Sequence, residues 1–148
     1  MRTLTIILRN LLGLAFVVFG ANYFLQFLPQ PPPEPAAGAF LGALVTGKVL
    51  ALAKLVEIAA GVALLANRFV PLALAVLAPI VVNINLFHGV FAPDGLPLTL
   101  GILAMELYLA WTYRRAFLPM LQPRSEPAVA FAADTGGERD TLAAWPRR

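Results

Sequence analysis

Of 148 residues, 59% are hydrophobic and only 13% charged, where a soluble domain carries about 25% charge. The mean hydropathy is +0.77, and the apolar residues come in long runs, which argues against a soluble enzyme, a nucleic-acid binder or a disordered protein. The net charge is +3 with no cysteine, so disulfides, thiolate nucleophiles, Cys-ligated zinc and iron–sulfur clusters are excluded within the chain, and the positive surplus reads as membrane topology.

Four runs reach the roughly 20 apolar residues that a bilayer-spanning helix needs. They are about Leu4–Leu28, Ala39–Ala66, Phe69–Ala92 and Pro97–Leu118. Arg2 ahead of the first run resembles a signal peptide, but the run is too long and passes Phe24, Phe27 and Leu28 without a small-x-small cleavage site. It leaves through Pro29–Pro35, which cannot continue a helix and favours extended geometry. Little more than Asn67–Arg68 joins the second run to the third. Pro93-Asp94-Gly95 is a turn sequence, and Pro97 suits a helix start. Short connections make antiparallel neighbours, so the expected fold is all-α: an integral membrane up-down-up-down four-helix bundle over residues 1–121. From Gln122 onward Pro, Ala, Gly and balanced charge predict a disordered cytoplasmic tail, 122–148.

Arg2, Arg9, Arg68, Arg114, Arg115 and Arg124 fall at one set of span ends, whereas the other set carries Glu34 and Asp94. The positive-inside rule then places both termini in the cytoplasm. Trp111 and Tyr113 fall at the cytoplasmic boundary, where aromatic anchors belong.

Ionisable groups inside spans are costly, so each needs an explanation. Counting about 1.5 Å per residue from the span midpoints puts Lys54 and Glu106 within about 2 Å of the midplane. Glu57 lies roughly 7 Å towards the cytoplasm and shares a helix face with Lys54 at i,i+3. Lys48 lies roughly 7 Å the other way and, like Arg9, has the reach to snorkel to an interface. Lys54 and Glu106 are too central for that. They are expected as a buried ion pair, or as a Lys54–Glu57–Glu106 cluster, that either orients the second and fourth spans or serves a substrate, quinone or proton path.

Asn22, Lys48, Asn85 and His88 form a second polar layer roughly 7–11 Å outward of the midplane. This layer either lines a polar pocket or makes interhelical hydrogen bonds. His88 is the only histidine, so bis-His haem ligation and multi-His metal sites are excluded within one chain. Pro79 predicts a kink in the third span. Gly13 and Gly20 share a face of the first span, and Gly47 and Gly61 flank Lys54, allowing close helix packing. The sequence contains no phosphate loop, catalytic triad, zinc motif or dinucleotide fingerprint.

The segments RNLLGLAFVVFGANYF, GKVLALAKLVEIAAGVALL, NINLFHGVFAPDG and ELYLAWTYRRAF, in this order and spacing, resemble the DoxX family of small four-span bacterial membrane proteins. The resemblance covers roughly residues 1–121, with Gly13, Gly20, Asn22, Glu57, Gly61, His88 and Glu106 at the corresponding positions. It implies a bacterial inner-membrane location. The family takes its name from a subunit associated with a thiosulfate:quinone oxidoreductase, and other members are linked to membrane redox or thiol-stress complexes.

Without cysteine, a sulfur-redox role would need a partner subunit or a bound quinone. The expected function is therefore an accessory subunit of a membrane redox complex, or a bundle that binds a small hydrophobic ligand. Its expected partners are the lipid bilayer and either a redox subunit or a second copy, with no nucleic acid. The isolated chain is not expected to be an enzyme. The alternatives are a quinone-interacting oxidoreductase subunit using Lys54, Glu57, Glu106 and His88 for protons, and a small oligomeric transporter.

Overall fold

The first run forms a helix because it is long, apolar and free of proline until Pro29. The computed structural model describes residues 2–29, 32–121 and 123, and it places α1 at Arg2–Leu25. The helix ends in a left-handed residue, Gln26 (φ 50°), whose amide donates to the Asn22 carbonyl at 2.8 Å. The Asn22 side-chain oxygen then accepts from the Leu28 amide at 2.7 Å. One asparagine thus ends α1 and turns the chain, so its first role is local backbone satisfaction.

The second run differs from expectation. It is broken into α2 (Pro35–Thr46) and α3 (Val49–Leu65). Pro35 suits the first helical position of α2. The break falls at Gly47-Lys48, with Lys48 in the left-handed region at φ 57°. Thr46 bonds back to the Gly42 carbonyl at 2.8 Å, and the Lys48 amide donates to the Val45 carbonyl at 3.0 Å, one residue short of the α-helical partner. These bonds close α2, and an exposed glycine favours ending a helix over continuing it. The 17 residues of α3 extend about 25 Å, short of the roughly 30 Å hydrocarbon core.

The later elements are α4 (Val70–Phe91), α5 (Leu96–Thr112) and a short α6 (Arg114–Phe117). The α4 helix runs uninterrupted through Pro79. A single 3-10 turn at Pro93–Gly95 joins α4 to α5. The last apolar helix stops at Thr112 rather than near Leu118, and Arg114 lies over the Trp111 ring, 5.1 Å from its centroid. The chain divides into one unit at Met1–Ala116 and another at Phe117–Arg148. In the second, Leu118–Leu121 forms a 3-10 turn. The expected disordered tail, and Arg124 of the charge count, lie outside the described residues.

All regular structure among the described residues is helical. Among the described residues, three segments are long and apolar enough to cross a membrane: Arg2–Leu25, Val70–Phe91 and Pro93–Thr112. Helices α1, α3, α4 and α5 pack in a cycle, α1 against α3, α3 against α4, α4 against α5 and α5 against α1. The fully buried Leu12, Leu64, Leu74, Leu77 and Leu109 fill the centre. Leu52, Leu55, Val82, Leu86 and Leu107 point outward and are exposed. An apolar outer surface of this extent is that of a membrane protein, because water would penalise it and lipid does not.

The tightest contact is between α1 and α3. A Cβ at Gly13 would lie 2.9 Å from the Gly61 carbonyl oxygen, and one at Gly61 would lie 2.7 Å from that of Gly13. Gly20 meets Ile58 and the Lys54 carbonyl in the same way. Gly47, expected to share this packing role, instead sits at the exposed α2–α3 break.

Arg9 was expected to snorkel, but it is buried at 8% exposure. Its guanidinium donates to the Asn67 side-chain oxygen and, at 3.2 Å, to that of Asn10. Asn67 occupies the α3–α4 turn at φ 54°, a conformation asparagine tolerates. Arg9 therefore clamps α1 to that turn. Asn67→Ala should lower stability by about 1–3 kcal/mol by stranding a buried donor. Thermal unfolding in detergent checks this, and an unchanged midpoint would remove the clamp.

Candidate ligand-binding site

Where the C-terminal ends of α1 and α4 meet the N-terminal parts of α3 and α5, the helices line a half-open cavity of about 720 Å³. Its walls are mainly apolar, formed by Phe16, Phe19, Ile84, Leu98 and Ile102. Asn22, Tyr23, Gln26, Lys54, Glu57, His88 and Thr99 supply the polar groups. Apolar walls with a few convergent polar groups are the usual form of a small-molecule site.

Lys54 and Glu57 lie one turn apart on α3. The Lys54 ammonium donates to Glu57 Oε1 at 2.9 Å and to Oε2 at 2.8 Å. The Glu57 side chain is 3% exposed and that of Lys54 19%, so the lysine faces the cavity more openly. Both carboxylate oxygens are occupied, and the pair adds no net charge to the wall.

His88 faces the cavity from α4, and its Nδ1 lies 2.8 Å from the Ile84 carbonyl oxygen. A carbonyl only accepts, so Nδ1 donates, and in the neutral ring Nε2 keeps its lone pair. The ring is seated against Gly95 of the 3-10 turn, where a Cβ would lie 2.1 Å from His88 Cδ2. No side chain fits there unless the imidazole moves. Gly95→Ala is therefore expected to displace the ring and shift the imidazole resonances. With one histidine in the chain, a His-labelled sample gives a single imidazole signal set, and an unchanged spectrum would contradict this packing.

Of the residues singled out from sequence, the cavity gathers Asn22, Lys54, Glu57 and His88. Lys48 does not join them, being exposed at the helix break. Asn85 bonds back to the Val81 carbonyl at 2.9 Å on its own helix, and its Oδ1 has no partner among the described residues. The expected Lys54–Glu106 pairing does not form either. Among the described residues the one salt bridge is Lys54–Glu57, while both Glu106 oxygens are buried without a hydrogen-bond partner.

Helices α3 and α5 are not neighbours in the packing cycle, and helix lengths add an axial offset. Once the second run is shortened to Val49–Leu65, Lys54 lies about 4.5 Å from the α3 midpoint towards the helix N-terminus. With α5 ending at Thr112, Glu106 lies about 3 Å past its midpoint towards the helix C-terminus. Glu106 shares the buried face of Thr99 and Ile102 but sits one turn past Ile102, away from Thr99 and the cavity's polar groups.

Sequence reading missed Tyr23 and Thr99. Thr99 Oγ1 donates to the Leu96 carbonyl at 3.2 Å, which leaves the oxygen's lone pairs to the cavity. Its position three residues before Ile102 and seven before Glu106, on one helical stripe, was the available signal. No protein-family model matches the chain, and neither a curated protein nor a solved structure matches it.

Proposed function

We propose that this chain is a DoxX-like integral membrane protein of four crossings. In this reading the bundle holds a small amphipathic molecule and serves as an accessory subunit of a membrane redox complex. The observation that carries the reading is the cavity of about 720 Å³, whose apolar walls surround Lys54, Glu57, His88 and Thr99. Such a lining suits an apolar body with one polar head. The second crossing would combine α3 with the bent α2. Arg9, Asn67 and Arg68 meet at one end of the cycle and Asp94 lies at the other, which supports cytoplasmic termini by the charge rule.

Purification in mild detergent followed by mass spectrometry tests ligand binding. A bound amphiphile is expected with wild type and a depleted one with Phe19→Trp, which narrows the cavity at its apolar wall. Ligand-free protein that also fails to bind added quinone or lipid would end the proposal. Topology has its own test, because the chain lacks cysteine. Single cysteines at Asp94 and Arg115 should react with an impermeant maleimide from opposite sides.

A quinone-handling redox subunit is the second reading, favoured because the Lys54–Glu57 pair and the His88 imidazole face one cavity. Quinone-dependent turnover by the isolated chain would select it over the accessory role.

A further inference from the structure

We infer that the cavity takes a neutral amphiphile whose polar head offers a hydroxyl hydrogen to His88 and an oxygen acceptor to Lys54. The inference rests on the ligand-binding reading above and specifies the head group.

The acceptor is His88 Nε2. The bond from Nδ1 to the Ile84 carbonyl fixes the tautomer, and Nε2 has no hydrogen-bond partner among the described residues. Nε2 is not among the buried unpaired atoms, so it keeps some exposure on a residue that lines the cavity, beside Gly95, where a Cβ would lie 2.7 Å from it. The donor is Lys54. Two of its three N–H groups go to Glu57, and the third is uncommitted on a side chain 19% exposed.

The two groups converge because of helix direction. Side chains lean towards the N-terminus of their own helix. The α3 and α4 helices are neighbours joined by a tight turn at residues 66–69 and run antiparallel. His88, near the C-terminal end of α4, leans back into the cavity, and the Lys54 ammonium, held by Glu57 one turn along α3, lines the same cavity.

Charge selects a neutral head. Glu57 already compensates Lys54, so an anionic or cationic head would lose its hydration without gaining an unpaired counter-charge. The rings of Phe16 and Phe19, with Ile84 and Ile102, take the apolar part. A ligand without the hydroxyl would cover Nε2 and leave it unpaired, and that penalty makes the preference selective.

A hydroquinone and a monoacylglycerol both carry this chemistry, and the experiment separates them. The full chain in nanodiscs is titrated anaerobically with decylhydroquinone, with the O,O-dimethyl ether of that compound, and with monoolein. At least one hydroxyl-bearing probe is expected to bind, with the ether about tenfold or more weaker than the hydroquinone when the hydroquinone is that probe. Whichever of the two binds identifies the source. On saturation the His88 Nε2 resonance of wild type should shift, a readout that needs no variant. His88→Ala should bind hydroquinone and ether alike.

Equal binding of ether and hydroquinone to wild type would overturn the head-group assignment while leaving a ligand-binding cavity. An unmoved Nε2 resonance in the saturated protein would overturn it as well. Failure of all three probes to bind would defeat the ligand-binding reading itself, and this inference with it.

Discussion

Gly61→Ala is expected to destabilise the protein by about 1–3 kcal/mol, the usual cost of overpacking a filled interior. The added carbon would sit 2.7 Å from the Gly13 carbonyl oxygen, 2.9 Å from Val17 Cγ2 and 3.1 Å from the Val17 amide nitrogen. Two of these three contacts are backbone, so α1 and α3 must separate as whole helices, and no side-chain rotation relieves the clash. Gly61→Leu extends the same displacement and should prevent the native α1–α3 contact. Gly101→Ala is the control. Its Cβ meets nothing within 4 Å in the middle of α5, so helix propensity alone predicts a gain of roughly 0.5–1 kcal/mol. Unfolding of purified protein in mixed micelles measures both. Equal effects from the two substitutions would show that the glycine contact contributes nothing.

Lys54→Met should cost about 3 kcal/mol, because it leaves the Glu57 carboxylate, 3% exposed, without its cation in an apolar wall. Glu57→Gln should cost less. The lysine is 19% exposed and has a flexible stem with which to reach water. Replacing both residues by Met removes the charges together and should recover much of the loss, since a well-packed apolar pair often equals a buried ion pair. A double-mutant cycle with Glu57→Met as the second single variant reads this directly. If Lys54→Met unfolds at the wild-type midpoint, the pair has no structural role, and its place in the cavity wall becomes the whole of its significance.

Both predictions concern residues that stood out in the sequence, for different reasons. Gly13, Gly20 and Gly61 were visible as small residues on helix faces, and their close approach follows from that spacing. Gly47 looked equivalent but lies at the end of α2, because spacing does not reveal where a helix stops. Lys54 and Glu57 were paired by the i,i+3 rule, which is local and so needs no tertiary information. Glu106 is the instructive failure. Its assignment to the Lys54 level used two span midpoints, and both moved once the true helix limits were known.

The sequence alone determined the environment, the helical class and the apolar segments, because those depend on composition and on length against bilayer thickness. It also determined the Lys54–Glu57 neighbourhood. Only the structure located the break at Gly47-Lys48, where local carbonyl bonding ends one helix and the chain restarts. It alone decided that Arg9 turns inward to Asn67 instead of reaching for the interface. It also separated the candidate polar residues into those that face a common space and those that do not. Asn22, Lys54, Glu57 and His88 share a cavity because four helix ends converge there. Asn85, Lys48 and Glu106 are excluded by helix rotation, helix termination and axial height. Rotation and axial height depend on how helices pack against one another, and termination on local backbone bonding; residue spacing within a single helix encodes none of them.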